Sequence, residues 1–171
     1  SPGKPGLANA KGRADVHSVR DWLQQPLIGF AQGEAAYNVD ISVGDERAHL
    51  KASSDLFGVA IDLPPPLGKP MRESRLLELD IPLNRQPLQI DVTIDRLGRL
   101  LLGFDDSQQF SGGSFAIGNH PIPPPPRGLF AVVGELSSAN LDAWLAVMDR
   151  FQSMGGKESG DPLPIVVENV K

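Results

Sequence analysis

Strict apolar–polar alternation constrains this chain more than any other feature. From Glu34 to Gly44, the residues Ala35, Tyr37, Val39, Ile41 and Val43 alternate with Glu34, Ala36, Asn38, Asp40 and Ser42. Leu77, Leu79, Ile81 and Leu83 alternate with Glu78, Asp80 and Pro82, and Leu88, Ile90, Val92 and Ile94 with Gln89, Asp91, Thr93 and Asp95. Successive side chains of a strand point to opposite faces, so this pattern predicts strands with one dry face and one wet face. It favours antiparallel pairing, because parallel strands are usually buried on both sides.

Further strands are expected at Ala48–Ser53, Val59–Leu63, Arg99–Asp105, Ser114–Gly118, Leu129–Leu136 and Ile165–Val170. Turn chemistry separates them at Gly44-Asp45-Glu46, Pro64 to Pro70, Asn84 to Pro87, Leu97-Gly98 and Pro121 to Gly128. Pro123 to Pro126 is a stiff polyproline run and reads as a spacer at a sheet edge, within a proline-rich linker over 121–128. Gly112-Gly113-Ser114 reads as a hairpin turn into Phe115.

Two short helices interrupt the strands. Val16, Val19 and Leu23 recur at helical spacing within 16–25, where Ser18-Val19-Arg20-Asp21 resembles a capping box. Leu141, Leu145 and Met148, widened by Trp144 and Phe151, form a second stripe within 139–153, with Ser138 or Asn140 as its cap. Gly12 to Leu23 and Gly134 to Leu145 align without a gap, and the chain's two tryptophans, Trp22 and Trp144, fall in the same slot. That echo suggests a repeated strand–helix unit. The fold expected is mainly β (α+β): an antiparallel, twisted, groove-like sheet of about seven to nine strands with two short Trp-bearing helices.

At 171 residues the chain is long enough for a core of its own, and it reads as one segment, 1–171. Its ends break off in mid-pattern, which predicts a piece excised from a longer protein. A net charge of −5 with no Lys/Arg cluster argues against nucleic acid as a partner. The absence of cysteine removes disulfides and thiolate chemistry. No run reaches the roughly 18–20 apolar residues of a transmembrane helix.

The candidates for chemistry are sparse. His17, His49 and His120 are far apart in sequence and lack metal-ligand spacing. No Gly-x-Ser-x-Gly elbow occurs, and Asp105-Asp106 lacks the frame of a calcium loop and reads as a solvated turn. Gly68-Lys69-Pro70 lacks a phosphate-loop frame, and Pro70 removes an N–H where a helix should start. Neither a catalytic residue, a metal nor a cofactor is expected. Lys69, Arg72 and Arg75 read as solvated loop charges, with lipid phosphate as the alternative partner.

One stretch is distinctive as a whole: Ser54-Asp55-Leu56-Phe57-Gly58-Val59-Ala60-Ile61-Asp62-Leu63-Pro64-Pro65-Pro66-Leu67-Gly68-Lys69-Pro70. It resembles the signature of the YhdP family, within the AsmA-like proteins of Gram-negative bacteria. Gly33-Glu34-Ala35-Ala36-Tyr37 before it, and Gly134 with Leu141-Asp142-Ala143-Trp144-Leu145 after it, fit the same resemblance. The matching positions Ser54, Asp55, Leu56, Gly58, Leu63, Pro64, Pro66, Leu67, Lys69 and Trp144 are then structural, since the resemblance brings no catalytic residues with it.

The resemblance implies a periplasmic segment of a parent protein anchored in the inner membrane. It implies a hydrophobic β-groove that shields phospholipid acyl chains in transit to the outer membrane, with outer-membrane permeability depending on it. Partners would be those acyl chains and neighbouring segments of the same parent chain. The candidate lining is Tyr37, Val39, Ile41, Val43, Leu77, Leu79, Ile81, Leu88, Ile90, Val92, Ile94, Leu102 and Phe104. Two alternatives stay open: the two helices could cover this face and make it an ordinary core, or the segment could be a scaffold that docks envelope partners through its strand edges.

Overall fold

The alternating segments pair, mostly in chain order, into one sheet. The computed structural model describes residues 6–23, 29–44, 48–107, 109–134, 141–154 and 165–168. The elements are β1 (Gly6–Asp15), α1 (Val16–Leu23), β2 (Ala31–Val43), β3 (Ala48–Ser54), β4 (Val59–Ile61), β5 (Leu77–Pro82), β6 (Gln89–Ile94), β7 (Gly98–Phe104), β8 (Phe110–Ile117), β9 (Phe130–Gly134), α2 (Leu141–Met154) and β10 (Ile165–Glu168). The sheet runs β1-β2-β3-β5-β6-β7-β8-β9-β10, and β4 pairs with the start of β2 off that path. The fold is therefore mainly β, with two short helices.

Pairing is antiparallel from β1 to β8. It becomes parallel for β8–β9 and β9–β10. Parallel neighbours need a crossover. Residues 118–129 supply the first, and the α2-bearing segment lies in the second. The proline-rich crossover does not skirt a sheet edge, as the sequence suggested, but lies across a face. Ser114 Oγ donates to the Pro124 carbonyl at 3.2 Å, and Pro125 lies against Gly103.

This explains a second departure from the sequence reading. Gly112 and Gly113 are inside β8 rather than in a hairpin turn. A Cβ on Gly112 would fall 1.8 Å from the Pro126 carbonyl oxygen, and one on Gly113 would fall 2.6 Å from the Phe130 ring. The glycines let the crossover and β9 approach β8 closely.

The helix starts are set locally. His17 N–H donates to Asp15 Oδ1 at 2.7 Å, so Asp15 caps α1 and the helix is already under way at Ser18, the residue expected to cap it. Residues 24 and 25, 139 and the proposed caps Ser138 and Asn140 lie outside the described residues, as do the side chains of Trp22 and Trp144. Both tryptophans do fall on helices entered from a strand. However, β1 and β2 are antiparallel where β9 and β10 are parallel, so the two echoed units differ in topology.

α1 runs beside β1 and β2. Arg150 of α2 reaches Asp62 at 2.9 Å and lies 5.0 Å from the centroid of the buried Phe30 ring, tying the helix to the base of the β4 hairpin.

Candidate functional site

Residues directly opposite each other in a sheet share a face. One row across eight strands reads Ala10, Val39, Ala52, Leu79, Val92, Leu100, Phe115 and Val132. Every member is apolar, and at strand spacing the row spans about 34 Å. The next row, one residue along, reads Asn9, Asp40, Lys51, Asp80, Asp91, Leu101, Ser114 and Ala131. The second face is thus polar as far as β6 and mixed beyond, with Leu101, Ser114 and Ala131 in this row and the proline-rich crossover lying over Ser114.

The register brings twelve of the thirteen candidate lining residues to the first face, and Leu88, just before β6, packs against them. Nine of the thirteen gather in one cluster: Ile90, Val92 and Phe104 are buried, with Leu77, Leu79, Ile81, Leu88, Ile94 and Leu102 half-buried around them. Tyr37, Val39, Ile41 and Val43 stay apart from it, and Val43 is 51% exposed. Sequence reasoning left out Leu50, Leu100, Phe110, Phe115, Ile117, Phe130 and Val132, which belong to the same face. Period-two counting through Arg99–Asp105 and Ser114–Gly118 marks Leu100, Phe115 and Ile117.

A second cluster of Phe115, Ile117 and Phe130 continues the face toward β9. Two residues outside the strands pack on it: Leu97 from the β6–β7 turn, and Leu67. Leu67 belongs to the conspicuous Ser54–Pro70 stretch, which is a kinked hairpin. Between Asn38 opposite Ser53 and Gly33 opposite Val59, β2 advances five residues while its partner advances six. The extra residue makes a bulge. Ser54 Oγ accepts from Leu56 N–H at 3.1 Å, and Asp55 Oδ1 accepts from Phe57 N–H at 3.0 Å. Leu56 and Gly58 have positive φ, 51° and 95°. A Cβ on Gly33 would lie 2.1 Å from the Gly58 carbonyl oxygen, so the two backbones touch at the kink.

The hairpin turns at Pro64, whose carbonyl accepts from Leu67 and Gly68 N–H at 3.0 and 3.2 Å, and Leu63 beside it is half-buried. Pro65 and Pro66 are joined by a cis peptide bond, and Pro66 is exposed. Ile61 and Lys69 then exchange both backbone bonds, at 2.9 and 3.0 Å.

Two of the three cations expected to be solvated here are not. Lys69 is 4% exposed; its Nζ donates to the Val59 carbonyl and, at 3.2 Å, to that of Pro70. Burial holds its pKa below the ordinary lysine value, Arg75 adds to the effect, and Glu73 and Asp55 oppose it. Arg75 donates to the Leu67 carbonyl at 2.6 Å and the Gly68 carbonyl at 3.0 Å. Both cations clasp carbonyls of the hairpin itself, Arg75 at the turn and Lys69 along its arms. Arg72 alone of the three is exposed.

Several other titratable groups pair on the polar face. His49 Nδ1 lies 2.9 Å from Asp80 Oδ1, Lys51 Nζ lies 3.9 Å from Asp80, and Arg99 forks onto Asp91. Asp105 Oδ1 accepts from Ser107 and Gln109 N–H, each at 2.9 Å, and so shapes a turn. Among the described residues no group of three or more His, Asp or Glu is placed to hold a metal ion.

These features define a class: an open β-sheet protein with one continuous apolar face and a largely polar one that carries paired charges. The chain belongs to the YhdP protein family, whose model matches residues 4–171. That membership makes it an AsmA-like envelope protein. No curated protein and no solved structure matches it. No described helix is long and apolar enough to cross a membrane.

Proposed function

We propose that this chain is a module of a periplasmic lipid-transfer protein, held by an inner-membrane anchor elsewhere in its parent. Its apolar sheet face would shield phospholipid acyl chains moving between inner and outer membrane. The observation that carries the reading is the unbroken apolar row from Ala10 to Val132, on a face whose β2 residues Tyr37 and Val43 stay partly exposed. A strand of five or six residues is about 17–20 Å long, comparable with an extended acyl chain. Each methylene withdrawn from water contributes about 0.8 kcal/mol, so a tail can be held without specific chemistry. The role proposed is binding rather than catalysis, and it needs no metal or cofactor.

Photo-crosslinking in cells with labelled phospholipid tests this, with probes at Ile41 and Asp40 of the full-length protein. The two positions face opposite sides of the sheet. Capture at Ile41 and not at Asp40 is expected. Capture at neither, in a protein that still functions, would sink the reading and leave a scaffold that docks partners by its strand edges.

A further inference from the structure

The signature hairpin does more than turn the chain. It leaves the sheet where β3 ends and carries Leu67 across to strands that come much later in sequence, packing it on the cluster of Phe115, Ile117 and Phe130. We propose that Leu67 is a fixed wedge on the apolar face, confining a lipid tail to the β2–β5 part and denying it the β8–β9 part. This rests on the lipid reading and specifies which strands a tail can reach.

The wedge is fixed because the tip is tied through both backbone groups of Leu67. Arg75 holds the carbonyls of Leu67 and Gly68, and Pro64 holds their N–H groups. At the root, Asp62 N–H donates to the Phe30 carbonyl at 2.7 Å and Arg75 N–H to the Asp55 carbonyl at 2.7 Å. Glu34 N–H donates to the Gly58 carbonyl at 3.2 Å, fastening the kink to β2. Swinging the tip away would break several of these bonds at once and leave half-buried acceptors unpaired, which is costly. A tail that fits beside Leu67 therefore has a defined boundary, and the size of residue 67 sets it. Since the clasp grips main-chain carbonyls, trimming the Leu67 side chain leaves the clasp in place.

The experiment uses phosphatidylethanolamine with a diazirine in one acyl chain, photolysed with the full-length protein, and adducts mapped by mass spectrometry. In the native protein, adducts are expected on β2, β3 and β5. In Leu67→Ala, adducts on β8 and β9 should rise roughly ten-fold, the equilibrium equivalent of no longer displacing one packed leucine, with those on β2 unchanged. Leu67→Val, a smaller trim, should move the pattern the same way by less. Adducts on β8 and β9 already as frequent as on β2 in the native protein would overturn the wedge and leave lipid binding standing. So would a pattern that neither variant alters. No adduct on any strand would overturn the lipid reading and the wedge with it, so the two failures are told apart by β2.

Discussion

On β6 to β9 the apolar face is built from Ile90, Val92, Phe104, Phe115, Ile117 and Phe130, none more than 9% exposed. On β1 to β3 the same face carries Ala8, Ala10, Gly12, Val39, Ile41 and Val43, and there Tyr37 is 37% and Val43 51% exposed. One sheet face therefore does two jobs. Its later strands carry large side chains that exclude water from one another, helped by Leu67, and each buried one contributes about 1.5–3 kcal/mol. Its earlier strands keep apolar surface that the described residues leave half-open. Stability concentrates where the face is closed, and the acyl chain proposed above would find room where it is not.

The strongest way to break this comparison is to place a carboxylate in each region. Ile90→Asp would bury a charge among Leu79, Leu102 and their neighbours and should cost about 4 kcal/mol or more, enough to unfold a marginal domain. Ile41→Asp should cost at most about 1.5 kcal/mol, because its carboxylate can reach water, while abolishing lipid capture at that strand. Urea midpoints of the two variants check the first half and crosslinking the second. Equal destabilisation would mean that both regions are core.

A smaller effect is expected at the kink that carries Leu67 from one region to the other. Gly58→Ala meets a positive φ and places Cβ 2.3 Å from the Glu34 carbonyl oxygen. A loss of about 2–4 kcal/mol is expected, together with protease cleavage appearing within residues 55–76. A neutral outcome would mean that the hairpin is not anchored to β2.

How legible this was in the sequence varied by strand, for physical reasons. β2, β5 and β6 were readable because each inner apolar residue is flanked by outer polar ones. β1 was not: its inner positions, Ala8, Ala10, Gly12 and Ala14, are too small to stand out from their neighbours. β8 was placed late because residues 112–117 are buried throughout. The crossover covers the second face there, so the alternation vanishes. Periodicity carries no strand direction, and the parallel pairing of β8, β9 and β10 was invisible for that reason. Lys69 and Arg75 were misread because nothing local announces that a turn's carbonyls lack partners. The tip's contact with β8 and β9 is long-range and had no local signature either.

Lys69→Met sharpens the account of that tip. It removes the donors to the Val59 and Pro70 carbonyls and should cost about 1–3 kcal/mol at neutral pH. The native lysine also predicts a pH signature. Its folded pKa lies below the ordinary 10.5, so between those two values the unfolded chain binds more protons. Native stability should therefore rise as pH climbs through the folded pKa toward 10.5, and this gain should be lost as pH falls back through it. Lys69→Met should lack that rise, so the gap between the two proteins widens in mild alkali. Parallel pH profiles would show that the ammonium is not desolvated and that the clasp is looser than its geometry.

The smallest effect is expected on the other face, directly behind the closed region. Arg99 donates through Nε to Asp91 Oδ1 at 2.8 Å and forks onto the second carboxylate oxygen, yet its side chain remains 52% exposed. An exposed pair gains little over its separate hydration and is screened by salt. Arg99→Ala should thus cost under about 1 kcal/mol, and less still in 1 M salt, by urea denaturation. A loss above about 2 kcal/mol that persists in salt would place a substantial share of the stability in the polar rows. The division would then run between the two faces of the sheet rather than between its earlier and later strands, and the open apolar surface on β1 to β3 would no longer mark the place left for a ligand.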